Sequence, residues 1–523
     1  MDLRDYIFLG TTRSLCPDCR RLVDAKIIVR NNRVYFRKTC PEHGTFEDFV
    51  CSDVAYHDRH EFSQPARLPR EFGTRPDKGC PYDCGLCTEH EQHTCIGLIE
   101  ITSNCNLKCP MCFAESGPGG QNIDFATYTR MVDRYVQLEG VADVLQLSGG
   151  EPTLHPDLVR MVRYAYEQPI QAVMINTNGI RLAHDPALLD QLATMRDRLE
   201  IYLQFDSLEN KAYSALRGEE LLQTKLAALE NLRKHGLRCT LVCTVDHNIN
   251  LHEVGKIVQF GLERHHVRGI SFQLATYCGR HTDPGDLEKR ATMPDVVKGI
   301  VGEMDGVVAE SDFYPLPCAH PNCHMMAYLY RGGDKPMSIS RIIDVKKHLH
   351  LIANSVVYTP ARARQLVAHY LESAGGCGCG PKGCGPLTPL SPGLPDGNGS
   401  KAEGAGGEEL RVRGPTPLPR PTALGERPMS GLAGERGDYA VLAEFVVKAL
   451  AEKLNGEEVF RITLTAFLDV HNFDTRRVMK CCLAHILPSG HVVPFCAYNT
   501  LYRDGHVALP ALVDEARKSL ALV

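Results

Sequence analysis

Three cysteines in one short run, Cys105, Cys109 and Cys112, constrain this chain more than any other feature. They stand in Asn104-Cys105-Asn106-Leu107-Lys108-Cys109-Pro110-Met111-Cys112-Phe113, a C-x3-C-x2-C spacing. Cysteine thiolates hold iron–sulfur clusters, and a cubane takes four ligands. Three cysteines in one tight loop leave one iron without a protein ligand, and an open metal position is where a substrate or cofactor binds. The apolar run Ile96–Ile101 just before the loop reads as a strand. About one strand and one helix later comes Leu147-Ser148-Gly149-Gly150-Glu151-Pro152. Cysteines alone would also suit a structural zinc knuckle or a plain electron-transfer cluster. The strand before them and the Gly-Gly-Glu after them weigh against both.

This pairing resembles the radical S-adenosylmethionine (SAM) superfamily. The resemblance implies that the amino and carboxylate groups of SAM chelate the open iron. It implies that an electron from the cluster breaks the C5′–S bond, and that a 5′-deoxyadenosyl radical then abstracts hydrogen. Cys105, Cys109 and Cys112 match the cluster ligands and so the catalytic centre, and Phe113 matches the aromatic beside the last cysteine. Gly149, Gly150 and Glu151 match the stretch that binds the methionyl ammonium. Glycines let backbone approach a ligand closely, and a carboxylate suits an ammonium.

Size and charge exclude several classes. The 523 residues suffice for two to four domains. A net charge of −5 and a pI near 6.5 imply no global nucleic-acid-binding field. No stretch reaches the ~18 continuous apolar residues of a membrane span. Met1-Asp2-Leu3-Arg4-Asp5 has no apolar signal core, so a cytoplasmic location is expected. In a reducing compartment the 22 cysteines read as metal ligands rather than disulfides.

Residues 1–62 read as a rubredoxin-like or zinc-ribbon-like module. Cys16-Pro17-Asp18-Cys19 and Cys40-Pro41-Glu42-His43-Gly44 are its knuckles, and Asn31-Asn32 is a hairpin turn between alternating runs. Cys16, Cys19 and Cys40, with His43 or Cys51, would make a tetrahedral site for one zinc or iron. Residues 78–95 hold a second triplet, Cys80, Cys84 and Cys87. It has no Gly-Gly-Glu of its own and reads as an auxiliary cluster segment. Residues 96–275 alternate strands and helices, with strands expected at Ile96–Thr102, Ala142–Leu147, Ala172–Thr177, Leu199–Phe205, Thr240–Val245 and Gly269–Leu274. Six such repeats fit an α/β fold, a partial (β/α)6 TIM-type barrel, whose function sits at the carboxyl ends of strands. Asn176, Asn178, Gln204 and Asp206 stand at those ends and are candidate cofactor and substrate contacts, although ordinary loop caps look the same.

Residues 276–376 form an accessory region marked by Pro317-Cys318-Ala319-His320-Pro321-Asn322-Cys323-His324. Residues 377–438 read as a flexible Gly/Pro-rich linker, with Cys377, Cys379 and Cys384 at its start. Residues 439–523 fold again, as a C-terminal auxiliary domain carrying Cys481, Cys482 and Cys496. Cysteine arithmetic then suggests two auxiliary clusters. One uses Cys80, Cys84, Cys87 and either Cys481 or Cys482. The other uses Cys318, Cys323, Cys496 and the remaining member of that pair. Cys95, Cys239, Cys243 and Cys278 are left over, and Cys239 and Cys243 read as core residues.

Outside 377–438 the chain resembles one branch of the superfamily, which includes archaeal tetraether lipid synthases and proteins named as dihydropterin methyltransferases. The motifs at 40–44, 80–87, 105–112, 317–323, 481–482 and 495–499 carry the likeness. It implies SAM, a SAM-binding [4Fe–4S] cluster, auxiliary clusters and a reductase such as ferredoxin or flavodoxin as electron donor. The leading expectation is carbon–carbon coupling of lipid alkyl chains, with a peripheral membrane contact. Methylation of a reduced pterin is the alternative, and an electron-transfer protein is the reading from another class. An apolar tunnel would favour lipid, and a compact polar pocket with a carboxylate would favour the pterin.

Overall fold

The computed structural model describes residues 5–332, 335–357, 359–374 and 436–513. Cys377, Cys379 and Cys384 lie outside the described residues, as does the expected linker apart from its last three residues. Those three open a helix, Arg436–Leu450.

Four strands open the chain as an antiparallel meander: β1 (Ile7–Leu15), β2 (Leu22–Arg30), β3 (Arg33–Cys40) and β4 (Gly44–Cys51). Asn31 and Asn32 link β2 to β3 with φ of 51° and 65°. Two successive positive φ values are what a type I′ hairpin turn requires, and asparagine tolerates them. The sheet is docked on the rest of the protein rather than free. Lys38, fully buried, donates from Nζ to the carbonyls of Val470 (2.9 Å) and His471 (3.0 Å) and pairs with Asp48 at 2.9 Å. Thr12 Oγ1 donates to Asp474 at 2.6 Å.

Six parallel strands follow in sequence order: β5 (Ile96–Thr102), β6 (Ala142–Gly149), β7 (Ile170–Thr177), β8 (Leu199–Gln204), β9 (Cys239–Val245) and β10 (Val267–Leu274). They fall where the hydrophobic runs put them. Amphipathic helices cover the outer face. In Phe125–Glu139 the buried set Tyr128, Met131, Val132 and Tyr135 follows helical spacing, and Asp124 caps the first turn through Thr127 N.

The sheet is wider than six strands. The accessory and C-terminal segments add β11 (Tyr314–Pro315), β12 (His324–Tyr330), β13 (Met337–Ser338), β14 (Val459–Thr465), β15 (Leu483–Ile486) and β16 (Val492–Pro494). Parallel pairing joins β14 to β10 and β15 to β5, so eight parallel strands stand side by side. Strands within the expected C-terminal domain, β14 and β15, therefore supply both flanks of the barrel sheet. Short runs such as Leu483–Ile486 cannot announce a distant pairing partner, because register is set by the fold.

Alternation along each strand sorts the side chains. Leu145, Leu147, Val173, Ile175, Ile201, Leu203 and Leu241 pack into the main apolar core, with Cys239 and Cys243 among them. Gln146, Ser148, Asn176, Tyr202, Gln204 and Thr244, one residue out of phase, face a central cavity instead.

Candidate active site

One cavity runs through the lumen and is lined at its mouth by Cys105, Cys109, Cys112 and Phe113. Backbone contacts hold the cysteine loop against the Gly-Gly-Glu turn. Gly150 N donates to Thr102 O at 2.7 Å and Glu151 N to Asn104 O at 2.8 Å. The glycines are required for this approach. At Gly149 φ is +120° and a Cβ would stand 2.1 Å from Thr102 O, while at Gly150 it would stand 2.2 Å from Asn104 O. From the other side Arg280 reaches the loop, donating Nη1 to Cys109 O at 2.5 Å and Nη2 to Ser116 O.

Glu151 is buried and saturated on one side. Oε1 accepts from Thr153 N (3.0 Å), Thr153 Oγ1 (2.6 Å) and Thr177 Oγ1 (2.7 Å), and Oε2 from Asn178 N (2.7 Å). The acid thus ties the β6 and β7 loops together and leaves acceptor capacity only at Oε2. Asn176, Asn178 and Gln204 line the cavity as expected cofactor contacts would. Asp206 does not line it. The residue is fully buried and grips Arg217 with both oxygens, at 2.6 and 2.8 Å. Arg217 is the one that faces the cavity and lies against Cys109. Asp206 is corrected from a ligand contact to a residue that positions Arg217.

Two further groups escaped the sequence reading. Lys225, fully buried, donates Nζ to Asn178 O at 2.5 Å and to Gln204 Oε1 at 3.3 Å. Burial brings its ammonium down to about 8, against the pull of Asp206. A single lysine in a helical segment carries no sequence signal of this role. Arg503 and Glu100 form the opposite wall of the cavity.

Three thiols facing one cavity from one loop, with no imidazole or carboxylate interleaved, are a donor set suited to iron–sulfur rather than zinc chemistry. Burial pushes the Cys105 thiol up to about 11, so loading metal displaces protons.

In the N-terminal sheet the ligand atoms of Cys16, Cys19, Cys40 and His43 all lie within 4.8 Å of one another. His43 Nδ1 stands 3.4 Å from Cys40 Sγ and 3.7 Å from Cys16 Sγ. That hydrogen bond brings the Cys40 thiol down to about 6, favouring a thiolate ligand. The fourth position falls to His43, because Cys51 turns away and donates to Asp53 O at 3.3 Å.

The auxiliary cysteines group differently from the arithmetic. Cys84 has Cys80, Cys87 and Cys481 around it, while Cys481 has Cys496, Cys482 and Cys323 as its own nearest thiols, so Cys481 stands between the first triplet and the remaining cysteines. Cys318 and Cys482 flank Cys95, which also stands 3.5 Å from His93 Nε2. Cys323 does not join Cys318. Its Sγ accepts from Arg477 Nε at 3.3 Å, on the side where Cys481 and Cys496 lie. Cys95 thus stands beside Cys318 and Cys482, two members of the expected auxiliary ligands, and joins them as a candidate. A lone cysteine before a strand looks like core, which is why spacing missed it. Cys95→Ser in the reconstituted full chain is expected to remove about four irons by iron quantitation. Unchanged iron content would leave Cys95 as packing only.

The strand-end cysteine loop, the Gly-Gly-Glu turn and the parallel barrel together define a radical SAM enzyme. The radical SAM superfamily profile matches residues 99–261, and an N-terminal zinc ribbon domain of the HMPTM type matches residues 8–52. Over 534 aligned residues the chain is 31% identical to 7,8-dihydro-6-hydroxymethylpterin dimethyltransferase of Methanocaldococcus jannaschii, covering 94% of each chain. This chain belongs to the family of that protein. It is also 28% identical to a mycofactocin maturase of Mycobacterium ulcerans, over 31% of this chain and 42% of that one. Among solved structures, Streptococcus suis SuiB bound to S-adenosylmethionine aligns with a TM-score of 0.34 and 17% identity, over 41% of this chain and 48% of that one.

Proposed function

We propose that this enzyme methylates a reduced pterin, the alternative of the sequence analysis, rather than coupling lipid chains. The observation that carries the reading is a band of polar side chains in a lumen that also presents apolar groups such as Leu98, Val242 and Phe467. Glu100, Gln146, Asn176, Gln204, Gln273 and Thr465 face it from six strands of the sheet. A long alkyl chain offers these groups no hydrogen bond, and each would be desolvated without a partner. A small heterocycle with donors and acceptors on its rim would satisfy them. The relative from Methanocaldococcus jannaschii is named for a pterin substrate, which supports the same choice.

With a cluster on Cys105, Cys109 and Cys112 and SAM bound, the chemistry supplied is reductive generation of a carbon radical that abstracts hydrogen. The chain's own residues do the rest. Arg280 and the Gly149–Gly150 turn hold the cysteine loop in place. Phe113 packs edge-on against Phe467 and Phe495, with centroids 5.6 and 5.8 Å away, and fixes the wall beside Cys112. Lys225 locks the β7 and β8 ends through Asn178 and Gln204. An external ferredoxin or flavodoxin would deliver the electron. No helix among the described residues is long and apolar enough to cross a membrane.

Expression of the full chain in a bacterial host, with mass spectrometry of both the pterin pool and the lipids, tests the reading. Pterins carrying additional methyl groups are expected, together with unchanged lipids. Coupled alkyl chains with an unaltered pterin pool would overturn it.

A further inference from the structure

Glu100 sits five residues before the first cluster cysteine and faces the lumen from β5. Arg503 grips it with both guanidinium arms, Nη2 to Oε1 at 2.5 Å and Nη1 to Oε2 at 3.0 Å. Behind that pair stands a braced support. Arg503 Nε donates to Asn499 Oδ1 at 2.9 Å, and its guanidinium lies 4.8 Å from the Tyr498 ring centre. Asn499 Nδ2 donates to Phe495 O at 2.9 Å and to His485 Nε2 at 3.3 Å. His485 stacks on Phe495 with centroids 5.0 Å apart and 9° between planes. The C-terminal motif at 495–503 therefore does more than carry Cys496.

A simple clamp between β5 and the C-terminal segment would not need these charges, since an apolar pair of similar volume often serves as well. Both side chains instead keep exposure toward the cavity, 28% for Glu100 and 16% for Arg503. A carboxylate offers about four acceptor positions and Arg503 uses two. Each oxygen of Glu100 keeps one. The two charge-assisted hydrogen bonds from Arg503 favour the ionised form of Glu100. Glu100 is thus a fixed anion with paired acceptor oxygens. Its complement is a planar group presenting two adjacent N–H donors.

We infer that Glu100 reads the 2-amino and N3–H edge of the substrate ring, and that Arg503 positions the carboxylate for it. This rests on the pterin reading and adds the residue that selects the ring. Phe467 and Phe495, 4.7 Å apart, line the same cavity and give the flat ring an apolar wall.

The test compares two probes on the reconstituted full chain. One is 7,8-dihydro-6-hydroxymethylpterin. The other is its analogue with oxygen in place of the 2-amino group, which turns an acceptor toward the carboxylate. Wild type is expected to bind the amino compound roughly 10- to 100-fold more tightly, the range of a charge-assisted hydrogen bond lost. In Glu100→Gln that ratio should fall to within a few-fold, because an amide meets either edge. Both dissociation constants come from one preparation, so the ratio is independent of the folded fraction. Should Glu100→Gln fail to fold, Glu100→Asp, which keeps the charge and withdraws it by one carbon, is expected to lower the ratio as well. A wild-type protein that binds both compounds equally, or a variant that keeps the full ratio, overturns the role of Glu100 and leaves the pterin reading intact. A wild-type protein that binds neither overturns the pterin reading itself, and this inference with it.

Discussion

Alanine at any one of Cys105, Cys109 or Cys112 is expected to abolish formation of 5′-deoxyadenosine from SAM. The three thiols come from one loop pinned by Arg280 and by the Gly149–Gly150 turn, so losing any one leaves the cluster only two ligands from that loop. Anaerobic reconstitution, reduction and chromatography of the nucleoside product check the expectation. Loss should exceed a thousand-fold, since a barrier increase of only about 4 kcal/mol is enough for that. Cleavage within ten-fold of wild type in any of the three variants would move the catalytic centre elsewhere. Auxiliary iron should persist in all three, because Cys84, Cys95 and their neighbours belong to separate groups.

The second large effect is expected far from that loop. Lys38→Met should destabilise the protein by roughly 3–5 kcal/mol, the cost of removing one partner from a buried ion pair. The Lys38 ammonium has no exposed surface and answers Asp48, two carbonyls of the C-terminal segment and Ser14 Oγ at 3.3 Å. Burial lowers its pKa, and Asp48 is the largest opposing influence. Methionine fills similar volume, so the loss isolates the charge and its hydrogen bonds rather than a cavity. Asp48 keeps only His471, 3.5 Å away, and the Val470 and His471 carbonyls lose a donor. A lowered urea midpoint, with earlier hydrogen exchange in residues 7–51, is the expected readout. A shift below about 1 kcal/mol would mean that the ribbon's own metal and core carry its docking.

Local features were legible because short-range physics sets them. The six strands Ile96–Thr102 to Val267–Leu274 follow from apolar alternation, and the Asn31-Asn32 turn from the φ values asparagine tolerates. Three metal ligands of the ribbon, Cys16, Cys19 and Cys40, could be named from knuckle spacing, while His43 and Cys51 stayed equal for the fourth until geometry separated them. Lys225, Arg217 and Arg503 were not legible. Each is a cation on a helix or helical turn, which as sequence reads as a solvated face. The choice between lipid and pterin was equally out of reach, because it depends on which phase of each strand faces inward.

By itself the sequence determined the chemistry of the loop at Cys105–Cys112, the βα rhythm behind it and the ribbon at the start. These rest on contacts between residues close in the chain, where spacing dictates geometry. Only the tertiary structure decided that β14 and β15 flank the barrel, that Cys95 stands with Cys318 and Cys482, and that Glu100 meets Arg503. Those partners lie hundreds of residues apart, with Glu100 and Arg503 separated by 403. Nothing local favours one distant partner over another. The pairing is selected when burying the apolar faces brings both flanks of the sheet together, and the polar residues then find each other across the lumen.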